Sequence, residues 1–431
     1  MLTKLFGFNP DSQTVGKEVA AGVTTFLTMS YILFVNPMIL SDAGMDFNAV
    51  ITATALAACF GTLLMAFWVK VPLAMAPGMG LNAFFAYSLV IGEGISWETA
   101  MGVVFISGAV FLFLTWVGIR EKIVSAIPIS LRLSIPAGIG LFITFIGFQN
   151  MELIVRDDAT MIALGKISTP LVLGLLGILI ITILEVKKIR GSILIGILAV
   201  TLTAILFGLI SPPVTYFSAP PSPAPVAFQL DILSALRWGL LGAIFSFMFV
   251  DLFDSVGTLV ACSYEAGLVE KDGTVKKIDK MLGADAIATL FGSLAGTSTT
   301  TTYIESASGI EEGGRSGLTA FTVAVLFLVA LFFTPVIASV PAYATAPALV
   351  IVGMFMFRNI NKIPMKGWPD IVASFLTILL MPLTYSISMG LTFGFLFWTL
   401  LTAIAGNIKA IHPVMWIVAA LSAINLWVTL T

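Results

Sequence analysis

FVDLFDSVGTL at 249–259 places Asp251, Asp254, Ser255 and Thr258 at relative spacings of three, four and seven. On a helix those spacings form one stripe, so two carboxyls and two hydroxyls share a face inside an apolar run. An acid at bilayer depth costs about 2.5 to 3.5 kcal/mol even on the lenient insertion scale, and it marks a substrate or proton path unless it braces a neighbouring helix. Two more acids stand in apolar surroundings. Glu305 lies in TTYIESASG, where a Thr-rich stretch gives way to small residues able to start a half-helix. It serves either as a ligand group or as a plain helix cap. Asp285 in LGADAIATLFG falls on a small-residue face with Ala288 and Gly292, which fits a structural brace or proton relay as well as a ligand contact.

The elements that position these acids must be membrane spans. Of 431 residues 58% are hydrophobic and 10% charged, and the mean hydropathy is +1.06, far from a soluble domain. Spans are expected at about 18–40, 49–69, 73–91, 97–119, 128–149, 168–186, 191–210, 237–263, 279–296, 298–310, 314–336, 342–358, 368–386 and 388–406, fourteen in all. The first reads as a permanent span rather than a cleaved signal. The run at 411–430 is either a further crossing or an interfacial helix.

Basic residues fall on alternate loops: Lys4 and Lys17; Lys70; Arg120 and Lys122; Lys187, Lys188 and Arg190; Lys271, Lys276, Lys277 and Lys280; Arg315; Arg358, Lys362 and Lys366. The positive-inside rule then makes the N-terminus cytoplasmic. The intervening loops, including the Pro-rich 211–225, face outward, and the Pro-rich one reads as a linker between halves. Net charge is −2, with no nucleic-acid footprint. Cys59 and Cys262 read as buried hydrophobes. His412 is the sole histidine, so neither a histidine metal site nor a Ser-His-Asp triad can be assembled, and no cofactor is expected.

An ordered internal repeat divides the chain. ALAACFGTLL (55–64) matches AIATLFGSLA (286–295), SDAGM (41–45) parallels YEAGL (264–268), and PAGIGLFITFIGFQN (136–150) resembles PALVIVGMFMFRN (347–359). Seven spans per repeat, an odd number, invert the second copy, an architecture of secondary transporters whose site lies at the midplane between discontinuous segments. VPLAMAPGMGLNAFFAY (71–87), rich in Pro and Gly, and GTSTTTTYIESASGIEEGG (296–314), rich in β-branched Thr, are those segments. Neither suits a continuous helix, and irregular backbone at membrane depth survives only where protein or a polar cavity satisfies it.

TTFLTMSYILFVNP (24–37), APGMGLNAFFAY (76–87), FVDLFDSVGTL (249–259), GADAIATLFGSLAGTSTTTTYIESASG (283–309) and MPLTYSISMGLTFGF (381–395) together resemble the nucleobase-cation symporters of the xanthine/uracil permease type, in their AzgA-like purine branch. The resemblance spans nearly the whole chain. It implies an all-α polytopic fold of fourteen segments in a 7+7 inverted repeat, with short β-strands in segments 3 and 10. A core domain (1–120 and 231–335) would move against a gate domain (121–230 and 336–431) that often mediates homodimer formation. The implied activity is import of guanine and hypoxanthine, with adenine second, across the cell membrane. The family's acids fall on Asp254 and Glu305, whereas the histidine of some relatives is replaced near Thr258, which removes a histidine proton relay. Asn82, Ala83, Phe84, Ser306, Thr258 and Thr28 complete the expected base-binding set.

A purine suits two carboxylates that accept ring N–H groups while strand backbone answers the other edges. Phe84, Phe85 or Phe253 could stack on its faces, although ordinary packing serves any single Phe better. Proton coupling is expected through Asp254 or Glu305, with Asp285 and Asp251 as further candidates. A sodium cage at Thr-rich 298–302 is the other option. The alternatives to a purine importer are an anion transporter of the same architecture and an intramembrane aspartyl protease, for which GAD at 283–285 lacks the required second glycine.

Overall fold

The structure, a computed structural model, describes residues 2–118, 126–270 and 274–430. Arg120, Lys122 and Lys271, and the domain boundary expected at 120/121, lie outside the described residues. In chain order the helices that matter here are α1 (Val15–Met29), α2 (Ile32–Asp42) and α3 (Phe47–Leu63), followed by strand β1 (Met75–Pro77) and the short α4 (Met79–Ala83). Next come α5 (Trp97–Val117), α6 (Ile129–Asn150), β2 (Ile154–Asp157), β3 (Met161–Leu164), α7 (Thr169–Val186) and α8 (Ser192–Leu206). The second half holds α9 (Leu241–Glu265), α10 (Ile278–Ala295), β4 (Thr300–Thr302), α11 (Ser306–Glu311), α12 (Gly317–Ala330), α13 (Ala342–Phe357), α14 (Trp368–Leu383), α15 (Ile387–Ile404) and α16 (Pro413–Leu430).

Among the described residues nine helical stretches are long and apolar enough to cross a membrane. They coincide with nine of the fourteen expected spans. The other five differ for physical reasons. Helices α8 and α14 have 15 and 16 residues. Helix α10 carries Asp279, Lys280 and Asp285. The segments at 73–91 and 298–310 are not continuous helices, as their Pro, Gly and Thr content leads one to expect, and each opens as a three-residue strand. The first expected span is also two helices, with Ser30 and Tyr31 between α1 and α2. A two-stranded hairpin, β2 on β3, occupies the region read as a plain loop around Arg156 to Asp158.

Two groups of helices pack mainly among themselves. One comprises α1, α3, α5, α9, α10, α11 and α12; the other comprises α6, α7, α8, α13, α14 and α15. In the second group α6 and α13 approach so closely that a Cβ on Gly140 would collide with the carbonyl oxygen of Gly353, the small-residue packing that replaces hydrophobic drive in lipid. In the first group the repeat-related Phe60 (α3) and Phe291 (α10) stack with centroids 4.0 Å apart. The Pro-rich 211–225 stretch is tied to the first group, since Thr52 Oγ1 donates to the Pro221 carbonyl at 2.8 Å.

Strands β1 and β4 pair antiparallel with Ala76 opposite Thr301. A three-residue ribbon at membrane depth leaves its outer backbone groups without water, at several kcal/mol per unpaired group. Helix side chains answer them. The Thr62 hydroxyl accepts from Met75 N (2.9 Å) and donates to Met75 O (3.1 Å), while Thr289 does the same for Thr300 N (3.3 Å) and O (3.2 Å). A hydroxyl is both donor and acceptor, so one threonine on α3 and one on α10 each close a full residue of strand edge. Gly296, at φ +93°, ends α10 just before β4, a left-handed conformation that glycine adopts without strain.

Candidate functional site

Helix α9 sets Asp254 beside the paired strands, and the Thr301 side chain of β4 hydrogen-bonds its carboxylate. Glu305 occupies the N-cap position of α11, yet its side chain makes no capping bond. Its Oε1 accepts instead from the Tyr31 hydroxyl at 2.6 Å, across 274 residues of sequence. The plain-cap reading of Glu305 therefore fails. Asp254 and Glu305 lie within electrostatic reach of each other, and both are half-buried. Tyr31 and Tyr303 face the same pair.

The other two acids, Asp251 on α9 and Asp285 on α10, are sealed. Asp251 is 1% exposed and Asp285 0%. Asp285 Oδ2 accepts from Ser255 Oγ (2.5 Å) and Oδ1 from the Thr302 backbone N–H (3.2 Å). Both oxygens thus bind α10 to α9 and to β4, the bracing arrangement. The 251/254/255/258 stripe is split in use: Asp254 meets β4 at Thr301, Ser255 braces Asp285, and Thr258 stays half-buried on the same helix.

The remaining expected residues also separate. Asn82 is fully buried on α4, its Oδ1 accepting from the Ser298 hydroxyl, so it joins the two broken segments. Its Nδ2 has no hydrogen-bond partner among the described residues. Ala83 and Phe84 are wholly buried, and the Phe84 ring packs on Phe247 of α9 with centroids 4.7 Å apart. That contact is the packing role. The Ser306 hydroxyl accepts from Ala74 N at 3.0 Å, another tie between segments. Thr28 Oγ1 donates to Thr25 O (2.8 Å) and Thr24 O (3.1 Å) of its own helix, so its proton is already spent locally.

Sequence reasoning missed the two tyrosines. Tyr303 donates to the Pro77 carbonyl at 2.6 Å and strings β4 to β1; Tyr31 holds Glu305. The available signals were thin: Tyr31 sits in the quoted TTFLTMSYILFVNP stretch and Tyr303 two residues before Glu305. Among the described residues no cluster of three or more His, Cys, Asp or Glu side chains is placed to hold a metal ion.

Residues 16–392 match Xan_ur_permease, a permease family. The chain belongs to this family. The permease is 42% identical over 426 residues to the guanine/hypoxanthine permease PbuG of Bacillus subtilis, covering 95% of this chain and 96% of that protein. It is 40% identical over 425 residues to the adenine permease AdeP of Escherichia coli, covering 98% and 95%. These relatives are named as permeases rather than as enzymes. In fold the permease resembles the transmembrane domain of the cyanobacterial bicarbonate transporter BicA, with TM-score 0.62 at 16% identity over 92% of this chain and 97% of that one. It also resembles the murine anion transporter Slc26a9 in its inward-facing state, with TM-score 0.64 at 11% identity over 93% and 70%. The permease is thus a multi-pass, mostly helical membrane protein with a transporter fold of that kind.

Proposed function

We propose that this permease imports purine bases by proton symport, with guanine and hypoxanthine preferred and adenine accepted. One observation carries the reading: two half-buried carboxylates, Asp254 and Glu305, stand within electrostatic reach beside the paired strands, in a chain 40 to 42% identical to adenine and guanine/hypoxanthine permeases. Paired acceptors complement the ring N–H groups of a flat heterocycle, and the Asn82 Nδ2 supplies a donor for a ring nitrogen or carbonyl. Thr258, half-buried on α9, borders the base, while Ala83, Phe84, Ser306 and Thr28 hold the segments around it.

In this reading a core (1–120 and 231–335) slides against a gate (121–230 and 336–431) within a 7+7 inverted repeat of fourteen segments. The self-packing of the two helix groups and the Phe60–Phe291 contact between repeat mates support it. The protein would sit in the cell membrane as a homodimer with its N-terminus cytoplasmic. One proton travels with the base on Asp254 or Glu305. Asp285 and Asp251 are less suited to that part because both are sealed, as bound protons need a route to water.

The fold likeness to anion transporters supports a second reading, anion transport. Two carboxylates facing one site repel an anion, which favours the neutral base. The deciding experiment is uptake of labelled hypoxanthine into cells lacking their own purine permeases, with adenine, guanine, xanthine, uracil and bicarbonate as competitors. Guanine and adenine should compete, uracil and bicarbonate should not, and a protonophore should collapse uptake while replacement of sodium leaves it intact. Competition by bicarbonate alone would replace this reading with the second, and loss of uptake on sodium removal would replace the proton with sodium.

A further inference from the structure

The helix break between α1 and α2 places one side chain against the site. Helix α1 ends at Met29 and α2 begins at Ile32, so Tyr31 is held at the junction, with its carbonyl accepting from Phe34 N and Val35 N. The side chain is 1% exposed, and its hydroxyl reaches Glu305 Oε1 at 2.6 Å. Such a phenol donating to a carboxylate makes a strong, charge-assisted bond. The other titratable groups facing Glu305 are Asp254 and Cys262 from α9 and Tyr303 from its own segment. None of them takes over this bond. The Tyr303 hydroxyl is committed to Pro77 O, the Cys262 thiol lies 3.9 Å from the Tyr303 and Ile304 carbonyls, and Asp254 is an acid engaged with Thr301.

Resting on the purine-transport reading above, we propose that Tyr31 is a positioning residue that sets how Glu305 recognises the edge of the base. With Oε1 tethered by Tyr31 and the Glu305 backbone N–H also bonding the carboxylate, the group cannot rotate freely and no longer offers two open oxygens side by side to a ligand. A carboxylate free at both oxygens accepts two adjacent donors side by side, as Arg pairs show for the same geometry. One tethered at Oε1 favours a single ring N–H. Hypoxanthine presents one such donor on its six-membered edge, whereas guanine presents N1–H and an adjacent amino group. Tyr31 therefore narrows the preference toward bases with one donor at that edge, and it couples the first helix break to the chemistry of a residue in the second half.

The experiment compares wild type, Tyr31→Phe and Tyr303→Phe in full-length protein, measuring KM and Vmax for labelled hypoxanthine and guanine together with the amount of folded protein in the membrane. Tyr31→Phe keeps the ring and its packing. It should raise the hypoxanthine KM about tenfold with Vmax within about twofold, and move the guanine-to-hypoxanthine ratio several-fold toward guanine. Tyr303→Phe, whose hydroxyl serves backbone, should leave that ratio where it was. Unchanged KM and ratio in Tyr31→Phe would overturn the inference, as would an equal ratio change in Tyr303→Phe. Should Tyr31→Phe accumulate poorly, equilibrium competition between the two bases on the purified protein reads the same ratio independently of amount. A wild type that takes up neither base would instead remove the purine reading itself.

Discussion

Asp254 and Asp285 are the same residue type, on neighbouring helices of one packed group, and they live differently. Asp285 is fully enclosed with both oxygens spoken for by Ser255 and the Thr302 N–H. Asp254 keeps part of its surface accessible and shares a region with Glu305. Each would be costly in lipid, and each is retained for a different return: one closes the backbone of a broken strand, the other leaves acceptor capacity unused. An intramembrane acid therefore signals function only once its hydrogen bonds have been counted. Saturated oxygens mark Asp285 as a brace, and the accessible Asp254 beside Glu305 is the pair proposed to form the site.

The largest effects are expected at the accessible pair. Asp254→Asn and Glu305→Gln should each lower purine uptake about 10- to 100-fold at normal membrane abundance, since each loses a charged acceptor worth about 1.5 to 3 kcal/mol. Uptake near wild type in either variant would contradict the division. Asp285→Ala should fail differently, by stability. Leaving Ser255 and the Thr302 N–H unpaired costs about 2 to 4 kcal/mol, read as a lower midpoint of thermal unfolding in detergent and less protein in the membrane, while surviving molecules keep the wild-type KM. Smaller still, Ser298→Ala should loosen Asn82 and raise KM about three- to tenfold, because the amide loses the hydroxyl that orients it. The smallest change is expected from Thr28→Val, within about twofold of wild type, because that hydroxyl bonds its own helix; a large loss there would place Thr28 in the site after all.

Much of this was legible in the chain. Composition and length announce a polytopic membrane protein, the repeat of ALAACFGTLL in AIATLFGSLA marks α3 and α10, and the Pro-Gly and Thr-rich stretches mark where helices give way to strands. What stayed hidden is tertiary. Period and spacing put Asp251, Asp254, Ser255 and Thr258 on one stripe but say nothing of which hydroxyl is taken, so Ser255 serving Asp285 was invisible. The Tyr31–Glu305 bond joins residues 274 positions apart, beyond any local pattern. Thr28 is a different failure: a threonine on a helix always has the option of bonding the carbonyl three or four residues back, and the resemblance that named it carries no geometry. Among the fourteen expected spans the departures are α8 and α14, which are short, and α10, which carries Asp279, Lys280 and Asp285; hydropathy averaged over a window registers neither a helix end nor a charge that a neighbour satisfies, whereas the breaks at 73–91 and 298–310 were legible in their Pro, Gly and Thr content.

Asp254 and Glu305 are proposed to hold a purine together. Equilibrium binding of labelled hypoxanthine to purified wild type, Asp254→Asn, Glu305→Gln and Asp285→Asn tests it without transport as an intermediary. Saturable binding to wild type and Asp285→Asn, with loss in both Asp254→Asn and Glu305→Gln, is the predicted result; wild-type affinity in the Asp254 and Glu305 variants would contradict it.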